Sequence, residues 1–353
     1  MRAAVYHGPR DVRLEDVAEP SGAPGPQAVR LRVLRVALCG TDAGEYAHGP
    51  HMIPLHRRHP GSGHLGPLVL GHEILGEVEA VGAGVENLAP GDRVVPGAGM
   101  WCGRCAWCEA GRTNLCARYY TLGLNADGGL TERLDVPAIM CRPVPVACAD
   151  DAAAMAQPLA VALHAVDRAR VARDEAVVLI GVGGIGLFVL AGLVARGARV
   201  VALDVDEAKL ATAMRLGAAA ALDARAPGVG EAIGEALGGA PVDVVLEASG
   251  APASPALGQR LVRRGGRLVL VGMQAAPREL DLADLVLREV DLVTSVAHVC
   301  DHDLPVALEL LAAGPLAGEA LDRVVPLDAV VEDGLEPLAA GRVAGKVLVA
   351  PGR

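Results

Sequence analysis

Aromatic side chains are nearly missing from this chain. They make up 2% of its 353 residues, with Phe188 the single phenylalanine. Any interior must therefore be packed with alanine, valine and leucine, which suits a parallel sheet covered by helices. Lysine is almost as scarce, since Lys209 and Lys346 are the only two and arginine carries the remaining positive charge; no function follows from that skew. There is no basic cluster with interleaved aromatics, and the formal net charge is −10. Together these argue against a nucleic-acid surface and disfavour acidic substrates. No apolar h-region or small-residue cleavage site follows Met1, so export is not expected and a cytoplasmic location is. Unbroken apolar runs are missing too. Residues 177–194 approach the length of a bilayer crossing, but glycines at 181, 183, 184, 186 and 192 break the run into strand, turn and helix.

What is present reads as two cores, because the chain is too long for one ordinary core. In residues 29–38 apolar side chains alternate with Arg30, Arg32 and Arg35, as in a strand with one wet face that delivers Cys39 at its end. A second strand-like stretch, 71–81, opens with His72 and Glu73, and turn signals at 82–84 and 90–92 precede a third at 92–95. Near residue 150 the texture changes to helix formers over 152–166. Compact aliphatic runs follow at 177–180, 200–203, 242–246 and 267–271, separated by helical stretches such as 206–216, which stops at Gly217. Strands alternating with helices imply a doubly wound parallel sheet. Past residue 297 the pattern breaks; a helix at 304–313 and a strand at 346–350 are too little for a core of their own. The expected fold is thus α/β, with a mostly β domain of residues 1–149 completed by 298–353, and a Rossmann dinucleotide-binding domain of residues 150–297.

Cys102, Cys105, Cys108 and Cys116 follow a Cys-x2-Cys-x2-Cys-x7-Cys spacing, compact enough for four thiolates to enclose one structural zinc. Disulfides are disfavoured without an export signal, and an iron–sulfur cluster fits less well because no second redox partner is evident. Four thiolates leave no open position for chemistry. A catalytic zinc needs such a position and ligand-orienting neighbours; Cys39 with the His72-Glu73 pair can supply its ligands. Gly181-Val182-Gly183-Gly184-Ile185-Gly186 follows an apolar strand and opens an apolar helix, the context in which backbone N–H groups approach a pyrophosphate. Asp204 ends the next strand, where a carboxylate accepts from ribose hydroxyls and repels a 2′-phosphate, favouring NAD.

The ordered series Cys39-Gly40-Thr41-Asp42, Gly71-His72-Glu73, the four-cysteine lobe and the glycine turn resembles the zinc-dependent medium-chain alcohol dehydrogenase family over nearly the whole chain. The resemblance implies a GroES-like catalytic domain and a homodimer or homotetramer. It implies that Cys39 and His72 bind the catalytic Zn²⁺, with Glu73 binding it directly or swinging in. Gln157 stands where the polyol branch commonly has a glutamate, leaving two anionic ligands to balance the dication. Thr41 is expected to take the alcohol's proton and Asp42 to hold the His72 ring. The usual relay histidine is replaced by Gly44, with His48 and His51 as candidate substitutes. Lys346 is expected near the cofactor pyrophosphate. Residues 45–73 look most like the butanediol and sorbitol dehydrogenase branch, implying a vicinal diol, hydroxyketone or polyol as substrate, with a larger secondary-alcohol intermediate as the alternative. A catalytically silent zinc- and nucleotide-binding subunit would be expected to lose Cys39, His72 or Thr41, and a zinc-free reductase of this fold to lose the cysteine lobe; none is lost. Cys141, Cys148 and Cys300 are expected to be buried small hydrophobes.

Overall fold

A computed structural model describes residues 1–352. The chain divides into two compact units, Met1–Ala160 with Val299–Arg353, and Val161–His298.

In the first unit the strand Ala28–Ala37 is the organiser. Val29, Leu31 and Val33 are buried, while on the wetter face Arg30, Arg32 and Arg35 pair with Asp135 (2.8 Å), Glu77 (2.9 Å) and Asp151 (2.6 Å). The alternation is the period-2 pattern of a strand with one face on a core. This strand lies in a seven-stranded sheet between Glu73–Val81 and Lys346–Ala350, both antiparallel to it. Ala37 is in register with Glu73 on one side and Leu348 on the other. Three sequence-distant strands therefore bring one end each to the same place. The parallel pair Leu321–Pro326 and Lys346–Ala350 docks the C-terminal segment onto the first unit, as that segment's small size required.

The second unit is a six-stranded, all-parallel sheet. Its strand order is Ala220–Asp223, Arg199–Asp204, Ala176–Ile180, Val244–Glu247, Arg267–Leu270, Asp291–Thr294. Its centre is aliphatic, with Val178, Val201, Leu203, Val245 and Leu268 fully buried. Burial on both faces contributes about 1.5–3 kcal/mol per such side chain relative to exposure, and the helices between the strands provide that cover. The order reverses between Ala176–Ile180 and Val244–Glu247, the switch point at which open α/β sheets bind ligands.

The division between units falls at Ala160, later than the expected 149. Asp150 and Asp151, in the helix Asp150–Ala153, are held to the first unit by Arg93 (2.7 Å) and Arg35 (2.6 Å), and the helix Ala156–Arg168 then runs unbroken across the division. Among the described residues no helix is long and apolar enough to cross a membrane.

Candidate active site

Cys39 follows the strand Ala28–Ala37 and caps the helix Gly40–His48, where the Asp42 carboxylate accepts the Cys39 N–H at 2.9 Å. That bond fixes the turn presenting the thiol and leaves Asp42 Oδ1 3.3 Å from His72 Nδ1. His72 reaches this point through Gly71, whose φ is +94° and where an added Cβ would lie 2.8 Å from Val36 Cγ1 and 2.9 Å from Leu130 Cγ. Glycine is required there on both counts. The metal-binding atoms of Cys39, His72 and Glu73 all lie within 4.8 Å of one another, and His72 and Glu73 are buried. Burial alone would lower the His72 imidazole, but the negative charges of Asp42 and Cys39 hold it well above its ordinary value.

A cation fits this set. Glu73 Oε1 is buried with no hydrogen-bond partner, a costly state for a carboxylate oxygen, while Oε2 meets Lys346 and His72 Nδ1 faces Asp42 Oδ1. One thiol sulfur, one imidazole and one carboxylate form the mixed donor set of a catalytic zinc. With Asp42 beside Nδ1, the imidazole Nε2 is left for the metal. The Thr41 hydroxyl oxygen is 3.6 Å from Cys39 Sγ. Gln157 is buried in the first turn of the helix Ala156–Arg168. His48 and His51 are exposed. Of the other loop histidines, His59 Nδ1 accepts the N–H groups of Gly61 and Ser62 and His64 contacts the carbonyls of Gly66 and Pro67; both organise the loop.

Lys346 stands in a place the sequence did not indicate. Its ammonium is buried, donates to the Leu38 carbonyl at 2.9 Å and contacts Glu73 as an ion pair. Burial lowers its proton affinity, yet Glu73, Cys39 and Asp42 outweigh that, and its pKa is raised. The sequence-level charge count, two anions against a dication, thus omitted a buried cation beside Glu73.

The thiols of Cys102, Cys105, Cys108 and Cys116 also lie within 4.8 Å of one another. The N–H groups of Cys102 and Arg118 point at Cys116 Sγ at 3.2 and 3.3 Å. Backbone N–H groups from Ala117 and Cys108 bring Cys105 down to about 6, whereas burial and neighbouring thiols push Cys108 up to about 11. Four thiolates this close need a compensating cation, and a tetrahedral zinc supplies it. Among the described residues all eight cysteines are free thiols. Cys141, Cys148 and Cys300 are buried, and burial pushes Cys141 up to about 12.

In the second unit the strand Ala176–Ile180 leads through Gly181 (φ +91°) into the helix Gly184–Ala195. An added Cβ at Gly186 would lie 1.9 Å from the Gly181 carbonyl oxygen, while at Gly183 and Gly184 it would meet nothing within 4 Å. Close helix–strand packing with open backbone above it is what a pyrophosphate requires. Ile185 is half-buried within the first helical turn. Asp204 accepts the Val182 N–H of this turn at 2.8 Å. One organiser was not anticipated: Glu247, fully buried at the end of Val244–Glu247, accepts through Oε1 from Ser249 N (2.7 Å), Ser249 Oγ (2.6 Å), Gly250 N (2.9 Å) and Ser254 Oγ (2.8 Å). Its signal was an acid at a strand end followed closely by two serines and a glycine.

Residues 25–146 match the alcohol dehydrogenase GroES-like domain family and residues 184–313 the zinc-binding dehydrogenase family. The chain is 31% identical over 355 residues to the (R,R)-butanediol dehydrogenase of Bacillus subtilis (strain 168), covering 99% of this chain and 100% of that protein. It is 34% identical over 313 residues to the sorbitol dehydrogenase of Homo sapiens, covering 88% and 84%. A solved structure from Sinorhizobium meliloti 1021, bound to NADP, aligns with a TM-score of 0.87 at 30% identity over 99% of both chains.

Proposed function

Because the chain belongs to the zinc-dependent medium-chain alcohol dehydrogenase family, we propose that it transfers a hydride between NAD and a secondary alcohol of the vicinal-diol, hydroxyketone or polyol class. The enzyme acts on CH–OH groups, with Zn²⁺ and NAD as cofactors. The observation that carries the residue assignment is the convergence of Cys39, His72 and Glu73 donor atoms beside Thr41 and Asp42.

Cys39, His72 and Glu73 hold the catalytic zinc, with Gln157 as a neutral neighbour. When bound, the metal supplies Lewis acidity toward the alcohol oxygen and NAD accepts the hydride. Asp42 fixes the Cys39 turn and orients His72. Thr41 receives the hydroxyl proton. Lys346 neutralises Glu73, its buried ion-pair partner. Gly181, Gly183, Gly184, Ile185 and Gly186 cradle the pyrophosphate, and Asp204 meets the adenosine ribose. Cys102, Cys105, Cys108 and Cys116 hold the structural zinc.

Eight unpaired thiols fit a reducing compartment, the cytoplasm. A homodimer or homotetramer completes the reading. The edge strand Asp291–Thr294 supports it, since Leu292 is 44% exposed and the nearby Val286 and Leu287 are 74% and 76% exposed.

The test is a metal count combined with NAD-reduction assays across small diols, polyols and simple secondary alcohols. Two zincs per chain and turnover fastest on a vicinal diol or polyol are expected. One zinc per chain with no turnover on any of them would overturn the reading.

A further inference from the structure

Cys39 and His72 are joined by a long connection. After the helix Gly40–His48 the chain runs through residues 49–67 with no helix or strand before it enters Leu68–Val69. That exceeds the roughly 12–15 residues beyond which a structureless loop is usually either functional or disordered. This one is tied down. Its tip closes on itself, the His59 N–H donating to the His64 carbonyl at 2.9 Å and the Gly66 N–H to the Pro54 carbonyl at 3.1 Å.

Its base is held at one residue, Met52, by two buried side chains. The Glu45 carboxylate, 1% exposed near the end of the helix that Cys39 caps, accepts the N–H groups of His51 at 2.9 Å and Met52 at 2.6 Å. Bare backbone makes room for it, since an added Cβ at Gly49 would lie 2.5 Å from Glu45 Oε2 and 2.6 Å from Tyr6 Oη. The buried Asn125 amide donates through Nδ2 to the Met52 carbonyl at 3.0 Å and accepts the Thr121 N–H through Oδ1 at 2.9 Å. An aspartate could not donate to Met52, and a leucine could serve neither partner. The Asn125 carbonyl also accepts the Ser62 hydroxyl at 2.5 Å.

The same anchors lead to the metal ligands. Glu45 belongs to the helix of Cys39. Just past Asn125, the N–H groups of Gly129 and Leu130 donate to the carbonyls of Gly71 at 2.8 Å and Leu70 at 2.9 Å, immediately before His72. Met52 is thereby placed relative to Cys39 through one buried side chain and relative to His72 through the other.

We propose that Asn125 and Glu45 are positioning residues of the alcohol site: by gripping both backbone groups of Met52 they hold residues 49–67 as a fixed wall for the substrate's carbon chain. The inference rests on the reading above that Cys39 and His72 serve alcohol oxidation. Both side chains act on backbone groups of the loop, so neither enters the chemistry. A wall that meets substrate and transition state alike lowers KM and leaves kcat alone. Its loss therefore shows in the KM for the alcohol, whereas general damage to the fold lowers kcat or bound zinc instead.

The experiment compares the zinc-loaded parent enzyme with Asn125→Ala, Asn125→Asp and Glu45→Gln. Asn125→Asp keeps the shape and the Thr121 bond but sets an acceptor against the Met52 carbonyl. Two readouts are taken: the rate of tryptic cleavage at Arg57 and Arg58, both exposed in the loop, and the steady-state constants for NAD and for the best alcohol. Each variant is expected to speed cleavage about tenfold and to raise the alcohol KM about tenfold, roughly one buried hydrogen bond expressed as a local opening equilibrium. The kcat and the KM for NAD should change by less than about threefold. Faster cleavage with an unchanged alcohol KM would make the two residues fasteners of the loop alone and overturn the proposal. So would a fall in kcat or bound zinc with the alcohol KM unmoved, and so would unchanged values of both readouts. Should the Asn125 variants not fold, Glu45→Gln decides by the same two readouts. A parent that oxidises no diol, polyol or simple secondary alcohol brings down the functional reading first, and the proposal with it.

Discussion

Cys102, Cys105, Cys108 and Cys116 meet inside one short lobe, whereas Cys39, His72 and Glu73 meet only because strands far apart in the chain lie in register. The lobe has little structure of its own, a helix Ala106–Glu109 and a 3-10 turn Thr113–Leu115, and three of its four cysteines are partly exposed. The second cluster is buried, mixes sulfur, nitrogen and oxygen, and has a charged residue behind two of its donors: Asp42 behind His72 and Lys346 behind Glu73. A site that only holds shape can be closed by local thiols. A site that must keep a position open needs the fold to hold unlike donors and to balance their charges.

Removing one ligand from each cluster should separate the roles most strongly. Cys39→Ala is expected to lower kcat by about a thousandfold, the several kcal/mol of Lewis-acid stabilisation expressed as a rate, with the lobe's zinc retained. Cys105→Ala should instead lower the melting temperature steeply, because binding energy at a structural zinc is folding energy. Metal counts and thermal melts of both variants check this, and matching losses of stability would erase the distinction. Next in size is Lys346→Met, which leaves Glu73 as a buried, unpaired charge and should destabilise the metal-free protein by about 3–5 kcal/mol. The loss should shrink in the zinc-loaded protein, where Glu73 can turn to the metal. Equal losses in both forms would reduce Lys346 to a packing element.

Acidity offers a finer cut. His72 must lose a proton before it binds metal, and its pKa is raised well above the ordinary value, so catalytic-site affinity falls as pH drops through that raised value. In the lobe the thiol at about 11 keeps competing through the whole neutral range. Chelator competition between pH 6 and about 10 should therefore show lobe affinity rising throughout, by about tenfold per unit for each competing proton. A lobe affinity that stays flat over that range would contradict this. The smallest effect is expected from His48→Ala and His51→Ala: both side chains are exposed, and the pH profile of kcat should stay where it was. A displaced profile in either would put that histidine back in the proton path.

Much of this organisation was legible beforehand, for reasons that differ by residue. The lobe announces itself because its four ligands share one short segment. The glycine turn is legible because strand, turn and helix follow one another directly. The central parallel strands are aliphatic enough to stand out, but Ala220–Asp223 carries no β-branched residue and Asp291–Thr294 is an open edge strand, and neither was recognised. The expected boundary at 149 marked the onset of helix formers, while the units divide inside a continuous helix. The Lys346–Glu73 pair was not anticipated because nothing local connects the two residues; only the sheet brings them together. Glu247 was missed because a buried acid resembles a surface one until its donors are seen.

The strand that carries Lys346 has a consequence for the order of assembly. During synthesis Cys39 and Glu73 emerge early, and every residue of the second unit emerges before Lys346 does. Domains fold as they leave the ribosome, N-terminal portions first, so the nascent catalytic unit must wait with a gap in its central sheet and an unneutralised carboxylate beside it. The strand that closes the sheet is translated only after the whole second unit, and it supplies the missing positive charge.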